Sequence, residues 1–254
     1  MKKTLIIFSL ILLLNSCDRL DRDISQSFVL AYFQMENENF QVSQLDSASV
    51  VMYTKEATMI GNWKSIGKVK KRYTALAEKY GDVSYNREIS VYHEHYINPV
   101  VDIDIKNIQV VSNNDYDERH PAGSDLSDMI KYIGASPYRF IQNNYAKRTS
   151  DPVSERSILY FDNIACYTIL SSISEEELLQ GYYLIEKRLS DLDIDDLKMI
   201  GICSSINYEK EGGIFSFGIL EFTQPPTLEK THTLKVTMNL LDGTKAEDTV
   251  VMNF

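Results

Sequence analysis

The chain has 254 residues, of which 44% are hydrophobic and 24% are charged, so its composition is that of a globular protein and excludes a disordered one. Acidic residues outnumber basic residues by 36 to 26, which gives a formal net charge of −10 at pH 7. A surface of this sign repels nucleic acid and anionic lipid, so we exclude nucleic-acid binding. The basic stretch at residues 64–72 is a local exception, which we interpret as a solvated helix face rather than a polyanion site.

The strongest signal lies at the start of the chain. Lys2 and Lys3 form a cationic start, residues 5–14 form an apolar run, and Leu-Asn-Ser-Cys closes it at residues 14–17. These are the three regions of a secretory signal peptide, and the run is too short to cross a bilayer as a mature helix. The closing sequence resembles a bacterial lipobox. In that family signal peptidase II cuts before the cysteine, which is then acylated, and this implies removal of residues 1–16 and lipid attachment at Cys17.

Residues 17–27 are predicted to be the lipidated cysteine and a polar tether. Two or three acyl chains anchor a protein effectively permanently, so the resemblance implies a membrane-anchored protein. Asp18, Asp21 and Asp23 follow the cysteine closely. In proteobacterial lipoproteins an Asp directly after the cysteine resembles a signal for retention in the inner membrane. In Bacteroidota, acidic residues here resemble a signal for export to the cell surface.

The front half of the mature chain contains apolar stretches that predict strands. These stretches are residues 28–35, 48–54, 88–96 and 100–111. In the last of them Val101, Ile103 and Ile105 are expected to face inward, with Asp102 and Asp104 on the opposite face.

Four helices are predicted from apolar spacing and from residues typical of helix ends. The first ends at Gly81 and carries Ile66, Val69, Tyr73, Leu76 and Tyr80. The second is stopped by Gly134 and carries Leu126, Met129, Ile130 and Ile133. The third begins at Pro137 and buries Phe140, Ile141 and Tyr145. A fourth begins at Ser174 with acidic residues in its first turn.

The C-terminal part is predicted to be rich in strands. Pro225 and Pro226 break a strand and suggest a crossing between two sheets. Residues 234–240 alternate apolar with polar side chains, Asp242-Gly243 supplies a tight turn, and residues 249–254 return as a strand. Such a hairpin suits the last two strands of an antiparallel sandwich.

The predicted fold class is therefore α+β: strand-rich with several helices, and a C-terminal antiparallel β-sandwich-like region that ends in a hairpin. Residues 28–150 form a predicted mixed α/β region and residues 151–254 a β-rich region. The two regions are also compatible with a single domain, because no linker separates them.

Four short segments resemble uncharacterised lipoproteins of Bacteroidota. They are LSDMI at residues 126–130, SPYRFI at 136–141, QPP at 224–226 and LDG at 241–243. Those families are typically mixed helix and strand and have no assigned activity, so the resemblance implies no functional residue. It favours export, and the predicted location is the outer membrane or the cell surface.

Two cysteines lie in apolar segments of the mature chain. Cys166 and Cys203 either form a disulfide, as an extracytoplasmic location permits, or are two buried thiols that behave as small apolar side chains.

Two groups of residues are candidate metal ligands. His93 and His95 lie two apart on a predicted strand, so both imidazoles can share a face and bind a divalent metal, with His120 or an aspartate completing the site. A half-exposed aromatic strand is the alternative. An oxygen-rich loop with spacing suited to calcium contains Asp115, Asp117 and Glu118. The glycine and the distal glutamate of an EF-hand are missing, and a solvated acidic loop is the alternative. A similar acidic run, interpreted as a helix start or turn, is Asp191, Asp193, Asp195 and Asp196.

Aromatic residues suggest a third kind of site. The chain has 16 tyrosines and one tryptophan, and aromatic rings on a secreted protein can stack on sugars. Trp63 is the candidate platform for a ligand of this kind, although most tyrosines are expected to be half-buried strand residues.

The sequence contains no GxSxG, P-loop or HExxH pattern. We therefore expect a membrane-anchored extracytoplasmic protein that acts as a binding or structural component of the cell envelope. Its expected partners are the membrane, through the lipid anchor, and a glycan or an envelope protein, and no cofactor is implied. The alternative is a metal-dependent hydrolase with a site near His93 and His95.

Overall fold

The structure is a computed structural model, and it describes residues 22–62, 66–90, 99–146, 183–201, 203–205 and 214–254. Within these residues the fold is rich in strands and holds two α-helices, α1 (Lys68–Tyr80) and α2 (Tyr138–Gln142). No helix in this part of the chain is long and apolar enough to cross a membrane. The strands are β1 (Arg22–Ser25), β2 (Ala31–Gln34), β3 (Phe40–Gln44), β4 (Ser49–Thr54), β5 (Thr58–Gly61), β6 (Arg87–Ser90), β7 (Pro99–Val101), β8 (Ile105–Ser112), β9 (Ile130–Ser136), β10 (Tyr183–Arg188), β11 (Cys203–Ser205), β12 (Ile214–Phe222), β13 (Thr231–Leu240) and β14 (Lys245–Asn253).

The described strands form open sheets that are mainly antiparallel. The largest has the order β10-β9-β12-β4-β3, with β11 also paired to β12. A second sheet has the order β14-β13-β8, and β1 pairs with β6. The third sheet, β5-β2-β7, contains the parallel pair β2 and β7. The largest sheet takes strands from before and after residue 150, so the two predicted regions share it.

The largest sheet and the β14-β13-β8 sheet contribute to one hydrophobic core. Met52 and Phe217 come from the first sheet, and Val236 and Met252 come from the second, and each is at most 1% exposed. Successive side chains on a strand point to opposite faces, so one apolar face per strand suffices to build this core. A side-chain contact also joins the edges of the two sheets, because the Val42 N–H in β3 donates to Oδ2 of Asp248 in β14 at 2.9 Å.

The C-terminal predictions of a crossing and a hairpin are confirmed. Pro225 and Pro226 lie between β12 and β13, which belong to different sheets. Strands β13 and β14 pair over their length, and the Leu240 N–H donates to the carbonyl of Thr244 at 3.0 Å across the turn. Inside that turn the Asp242 carboxylate accepts the Thr244 N–H at 2.8 Å, so the Asp-Gly turn is fixed locally.

The small β5-β2-β7 sheet lies between two cores. Alternation along β2 directs Ala31 and Phe33 to the main core and Tyr32 to a second core. In β7, Val100 faces the second core and Val101 the main one, and the predicted inward positions Val101, Ile103 and Ile105 are all buried. The second core is completed by α1, α2 and the segment that follows β1.

Helix α1 confirms the first predicted helix and its end. Tyr73, Ala77 and Tyr80 are buried, and Gly81 adopts a left-handed conformation (φ +74°) that lets its N–H reach the carbonyls at the end of the helix. The predicted apolar face is wrong at its first two positions. Ile66 lies before the helix and is 92% exposed, and Val69 in the first turn is 40% exposed.

The second predicted helix is wrong. Residues 126–129 form a turn, and Ile130 begins strand β9, which lies between β10 and β12. Ile130 and Tyr132 lie in the main core, and Ile133 on the opposite face of the strand is also buried, so the apolar residues on both faces imitate helical spacing. Helix α2 begins after Pro137 as expected but extends only to Gln142. The fourth predicted helix lies outside the described residues, so a β-rich fold is supported and several helices are not.

Gly134 has a packing role in place of the predicted helix stop. The Tyr132 side chain is fully buried and lies across Gly134, two residues along β9, and Gly218 in β12. A β-carbon at Gly218 would lie 2.5 Å from Cε2 of Tyr132 and 2.9 Å from Cε of Met52. The missing side chains make room for the ring, whose hydroxyl donates to the carbonyl of Phe217 at 3.0 Å.

Asp82 is a fully buried carboxylate in the second core. Its oxygens accept the N–H groups of Phe28 and Val29, each at 2.8 Å, and the hydroxyl of Tyr145 at 2.9 Å. Tyr145 is held at φ +56°, a left-handed conformation that is unfavourable for an aromatic residue. Asp82 therefore joins the end of α1 to the segment after β1 and to the turn after α2. Burial raises the pKa of Asp82 to about 6, against the opposing effect of these three hydrogen bonds.

We expect Asp82→Asn to lower the free energy of unfolding by roughly 2–4 kcal/mol near neutral pH, because the amide NH2 group that replaces one carboxylate oxygen cannot accept the hydrogen bonds that this oxygen accepts. The raised pKa of Asp82 also makes the free energy of unfolding depend on pH. From about pH 4 to about pH 6 the folded protein retains a proton that the unfolded chain releases, so wild-type stability falls as the pH rises.

Urea unfolding across this pH window measures both effects, and the difference between wild type and Asp82→Asn isolates the contribution of Asp82. Asp46→Asn is the matched control, because Asp46 accepts a single N–H at an exposed turn. An unchanged pH slope in Asp82→Asn would show that another group titrates.

Gly218→Ala is expected to lower the free energy of unfolding by about 2–3 kcal/mol, because the added methyl overlaps the Tyr132 ring. Replacing the ring by Tyr132→Leu removes the overlap, so the double variant should be more stable than the sum of the single effects predicts. Thermal unfolding of the four proteins measures this coupling. Strict additivity would contradict the packing role of Gly218.

Candidate functional site

The loop between β8 and β9, residues 113–129, brings together the described candidate residues. Its start is fastened by a buried pair, in which Oγ of Ser112 lies 2.7 Å from Nδ1 of His232. Nε2 of His232 lies 2.9 Å from the carbonyl oxygen of Glu229, so we assign the proton to Nε2 and Nδ1 accepts from Ser112. Tyr116 packs its ring 5.3 Å from His232, which holds the loop against β13.

A serine that donates to a histidine is also the arrangement of a nucleophile and its base. Ser112 is only 2% exposed and His232 is fully buried. The Ser112 oxygen additionally accepts the N–H of Asn114 at 3.1 Å. The pair is closed to a substrate in this arrangement, and its contacts fix the loop.

His120 lies between two carboxylates in the same loop. Its Nδ1 is 2.8 Å from Oδ1 of Asp117, and its Nε2 is 3.1 Å from Oδ1 of Asp128. Burial acts to lower the pKa of His120, but the hydrogen bonds and charges of the two aspartates outweigh it, and the pKa is raised above its ordinary value. Burial likewise acts against the Asp117 anion, yet the hydrogen bond from His120 and two backbone N–H groups lower the pKa of Asp117.

The charge state of His120 limits the chemistry that it can perform. Two carboxylate partners favour a proton on both ring nitrogens, and an imidazolium can neither accept a proton as a general base nor ligate a metal. In this arrangement His120 ties Asp117 to Asp128 and closes the loop. The side chain of Asp128 is 58% exposed, so the loop presents a negative charge to solvent.

The contacts of the predicted calcium residues are local. Oδ1 of Asp115 accepts the Ala122 N–H at 2.7 Å, Asp117 is bound as described above, and Glu118 is exposed. No group of three or more His, Cys, Asp or Glu side chains among the described residues is placed to hold a metal ion. Calcium binding by these residues stays a prediction that their contacts do not support.

The second acidic run is a turn, as interpreted from the sequence, and it is neutralised by basic residues. Asp196 is 3% exposed and lies 2.9 Å from Arg139 and 2.6 Å from Lys187. Asp195 contacts Lys198 at 2.8 Å. Oδ1 of Asp193 accepts the N–H groups of Asp195 and Asp196 at 2.9 and 3.0 Å, which fixes the turn.

Several predicted site residues lie outside the described residues. They are Cys17, Trp63, His93, His95 and Cys166. The backbone of Cys203 lies in β11, but nothing is described of its side chain. The lipid attachment, the ligand platform, the disulfide and the metal site with its hydrolase function therefore stay predictions.

Sequence reasoning missed the pairing of Ser112 with His232 and the contact of Asp128 with His120. Ser112 and His232 are 120 positions apart, and they meet because β8 pairs with β13. The sequence predicts a helix around Asp128, whereas this residue lies in the turn before β9. The contact of Ser112 with His232 depends on which strands are neighbours, and the contact of His120 with Asp128 depends on how the β8–β9 loop folds back on itself.

We expect His120→Gln to lower the free energy of unfolding by about 1–2 kcal/mol at pH 6, because the charge-assisted hydrogen bonds to two aspartates are lost. A histidine with a raised folded pKa stabilises fully below its unfolded pKa, and this stabilisation is lost as the pH rises through the folded value. The effect of the substitution should therefore shrink toward about pH 9.

Urea unfolding at both pH values measures this difference. His232→Gln is the matched control, because His232 has no carboxylate partner in its described contacts. An equal loss for His120→Gln at both pH values would refute the charged state of His120.

Comparisons with known proteins leave the function to be inferred from the chain itself. No family model, curated protein or solved structure matches the sequence or the fold.

Proposed function

We propose that the protein is a lipid-anchored component of the bacterial cell envelope, exported to the outer membrane or cell surface, where it binds a glycan or an envelope protein. The observation that carries this proposal is the leader sequence, which ends in Leu-Asn-Ser-Cys at residues 14–17. The resemblance to Bacteroidota lipoproteins supports the location at the surface.

The short stretch of chain between Cys17 and the first described strand supports attachment close to a membrane. The first described strand begins at Arg22, five positions after Cys17. Five residues span at most about 18 Å, so acyl chains on Cys17 would hold the folded part next to the bilayer surface. A protein held in this way meets ligands and partners at the membrane.

A binding or structural role is also supported by the described titratable groups. His120 is paired with two aspartates, His232 with a serine, and Asp82 with backbone N–H groups, so these groups hold loops and segments in place.

We also propose that the whole chain has an α+β fold with a β-sandwich-like C-terminal region. This fold needs further helices, and the acidic helix start predicted at Ser174 is the sequence basis for one of them.

The lipid anchor is tested by labelling the full chain in bacteria with an alkyne analogue of palmitate. We expect the wild type to incorporate the label and to fractionate with membranes, whereas Cys17→Ser should lose the label and retain residues 1–16. Blotting for the label and mass measurement of the chain provide the readout.

Cys203→Ser is the matched control, because it removes a cysteine outside the lipobox and should keep the label. Label retained by Cys17→Ser, or a wild type that is unlabelled and released from membranes, would refute the anchor. Crosslinking in intact cells then tests for an envelope protein partner, and a glycan array tests for a sugar ligand.

A further inference from the structure

The first turn of α1 projects from the folded body and is strongly basic. Residues 66–72 are all exposed, and Tyr73 is the first buried residue of the helix. Lys68, Lys70, Lys71 and Arg72 place four positive charges within this short stretch of a chain whose net charge is −10. We call Ile66, Lys68, Val69, Lys70 and Lys71 the α1 patch.

The charges of the α1 patch are unfavourable for the helix itself. The start of a helix carries a partial positive charge and is stabilised by acidic residues, yet the first turn of α1 contains none. Gly67, which precedes the helix, provides no side-chain cap. Lys68 also lies four positions from Arg72, and like charges at this spacing repel. The folded chain alone therefore gives no reason for cations at this place.

The lysines of the patch lack the ion pairs that form at the other end of the same helix. Lys79 lies 3.0 Å from Asp102 and 3.0 Å from Asp104. No carboxylate among the described residues lies within ion-pair distance of Lys68, Lys70 or Lys71. Arg72 differs from these lysines, because it donates to Oε1 of Gln34 and is thereby fixed to the body.

Apolar side chains accompany these charges. Ile66 is 92% exposed and Val69 is 40% exposed, although both belong to residue types that are usually buried. An exposed apolar side chain beside several lysines is the composition of surfaces that enter the headgroup region of an anionic bilayer. Lysines attract the phosphates, and the apolar side chain inserts between the headgroups.

We propose that the α1 patch binds the anionic phospholipid headgroups of the membrane that holds Cys17, and so orients the folded part on the bilayer. The inference rests on the proposed lipid anchor. It is supported by charge complementarity, because the patch attracts an anionic surface while the remaining net negative charge is repelled by it.

The patch is tested by co-sedimentation of the mature chain with Cys17→Ser, which has no acyl chains, with phosphatidylcholine vesicles that contain or lack phosphatidylglycerol. Low ionic strength is used because it strengthens electrostatic attraction. We expect binding only to the anionic vesicles. The triple variant Lys68→Gln, Lys70→Gln, Lys71→Gln should reduce this binding by more than about 30-fold, since each lysine near an anionic surface contributes about fivefold.

Matched controls separate the patch from net charge. The triple variant Lys106→Gln, Lys230→Gln, Lys245→Gln makes the same change in charge at exposed lysines elsewhere and should bind as the wild type does. Ile66→Ser should weaken binding at least threefold, whereas Leu228→Ser, at another exposed apolar residue, should not.

A glutamate in the first turn distinguishes a binding role from a structural one. Lys70→Glu should weaken binding to anionic vesicles, yet it should raise Tm by about 1–3 °C, because a negative charge suits the start of a helix. A structural role for Lys70 predicts the opposite change in Tm.

Three results would overturn the proposal. They are no binding to anionic vesicles at low ionic strength, equal binding to neutral and anionic vesicles, and an equal loss of binding in the two triple lysine variants. Palmitate labelling of Cys17 is measured independently. If Cys17 is not labelled but the unacylated chain binds anionic vesicles, the anchor alone is refuted. If Cys17 is labelled but the unacylated chain does not bind anionic vesicles, the role of the patch alone is refuted.

Discussion

The second core depends on one buried carboxylate. Asp82 accepts hydrogen bonds from Phe28, Val29 and Tyr145, which belong to the segment after β1 and the turn after α2. Without a carboxylate, two backbone N–H groups and a hydroxyl would be buried with no acceptor, and each such loss costs about 1–3 kcal/mol. Burial also opposes ionisation, so the same group that organises this core makes its stability depend on pH. The strained backbone of Tyr145 indicates how strongly the contact is enforced.

The small β5-β2-β7 sheet connects the second core to the main core. Tyr32 faces the core that Asp82 organises, whereas Ala31 and Phe33 on the same strand face the core of the two larger sheets. A shift of β2 by one residue would exchange these faces, so the register of one short strand is constrained from both sides. The segment after β1 and helix α1 are thus coupled to the large sheets through the alternating side chains of β2.

The sequence predicted those elements whose signal is local. The end of α1 at Gly81 and the Asp242-Gly243 hairpin follow from turn chemistry, and the crossing at Pro225 and Pro226 follows from the missing N–H groups of proline. The prediction failed at Ile130 to Ile133, because this strand buries apolar side chains on both of its faces and therefore lacks the alternation of a half-buried strand. Gly134 illustrates the same limit, since its role depends on the Tyr132 ring and on Gly218 in another strand. In the candidate site, the sequence predicts an oxygen-rich loop at Asp117 and a metal-ligand role for His120. The contact of His120 with Asp128 depends on the path of the loop, and the pair of Ser112 with His232 depends on strand neighbours; residue spacing encodes neither.

Two groups of basic residues differ in a way that bears on function. One lies around Asp196, and the other lies at the start of α1. Around Asp196, Arg139 and Lys187 neutralise a carboxylate that is 3% exposed, so their charges are accounted for by folding. At the start of α1, the lysines oppose the helix dipole and one another, and no ion pair within the described residues offsets this. Folding therefore accounts for the charges of Arg139 and Lys187 but not for those of these lysines. Because the chain as a whole is acidic, an anionic surface would attract this turn while the remaining net negative charge is repelled.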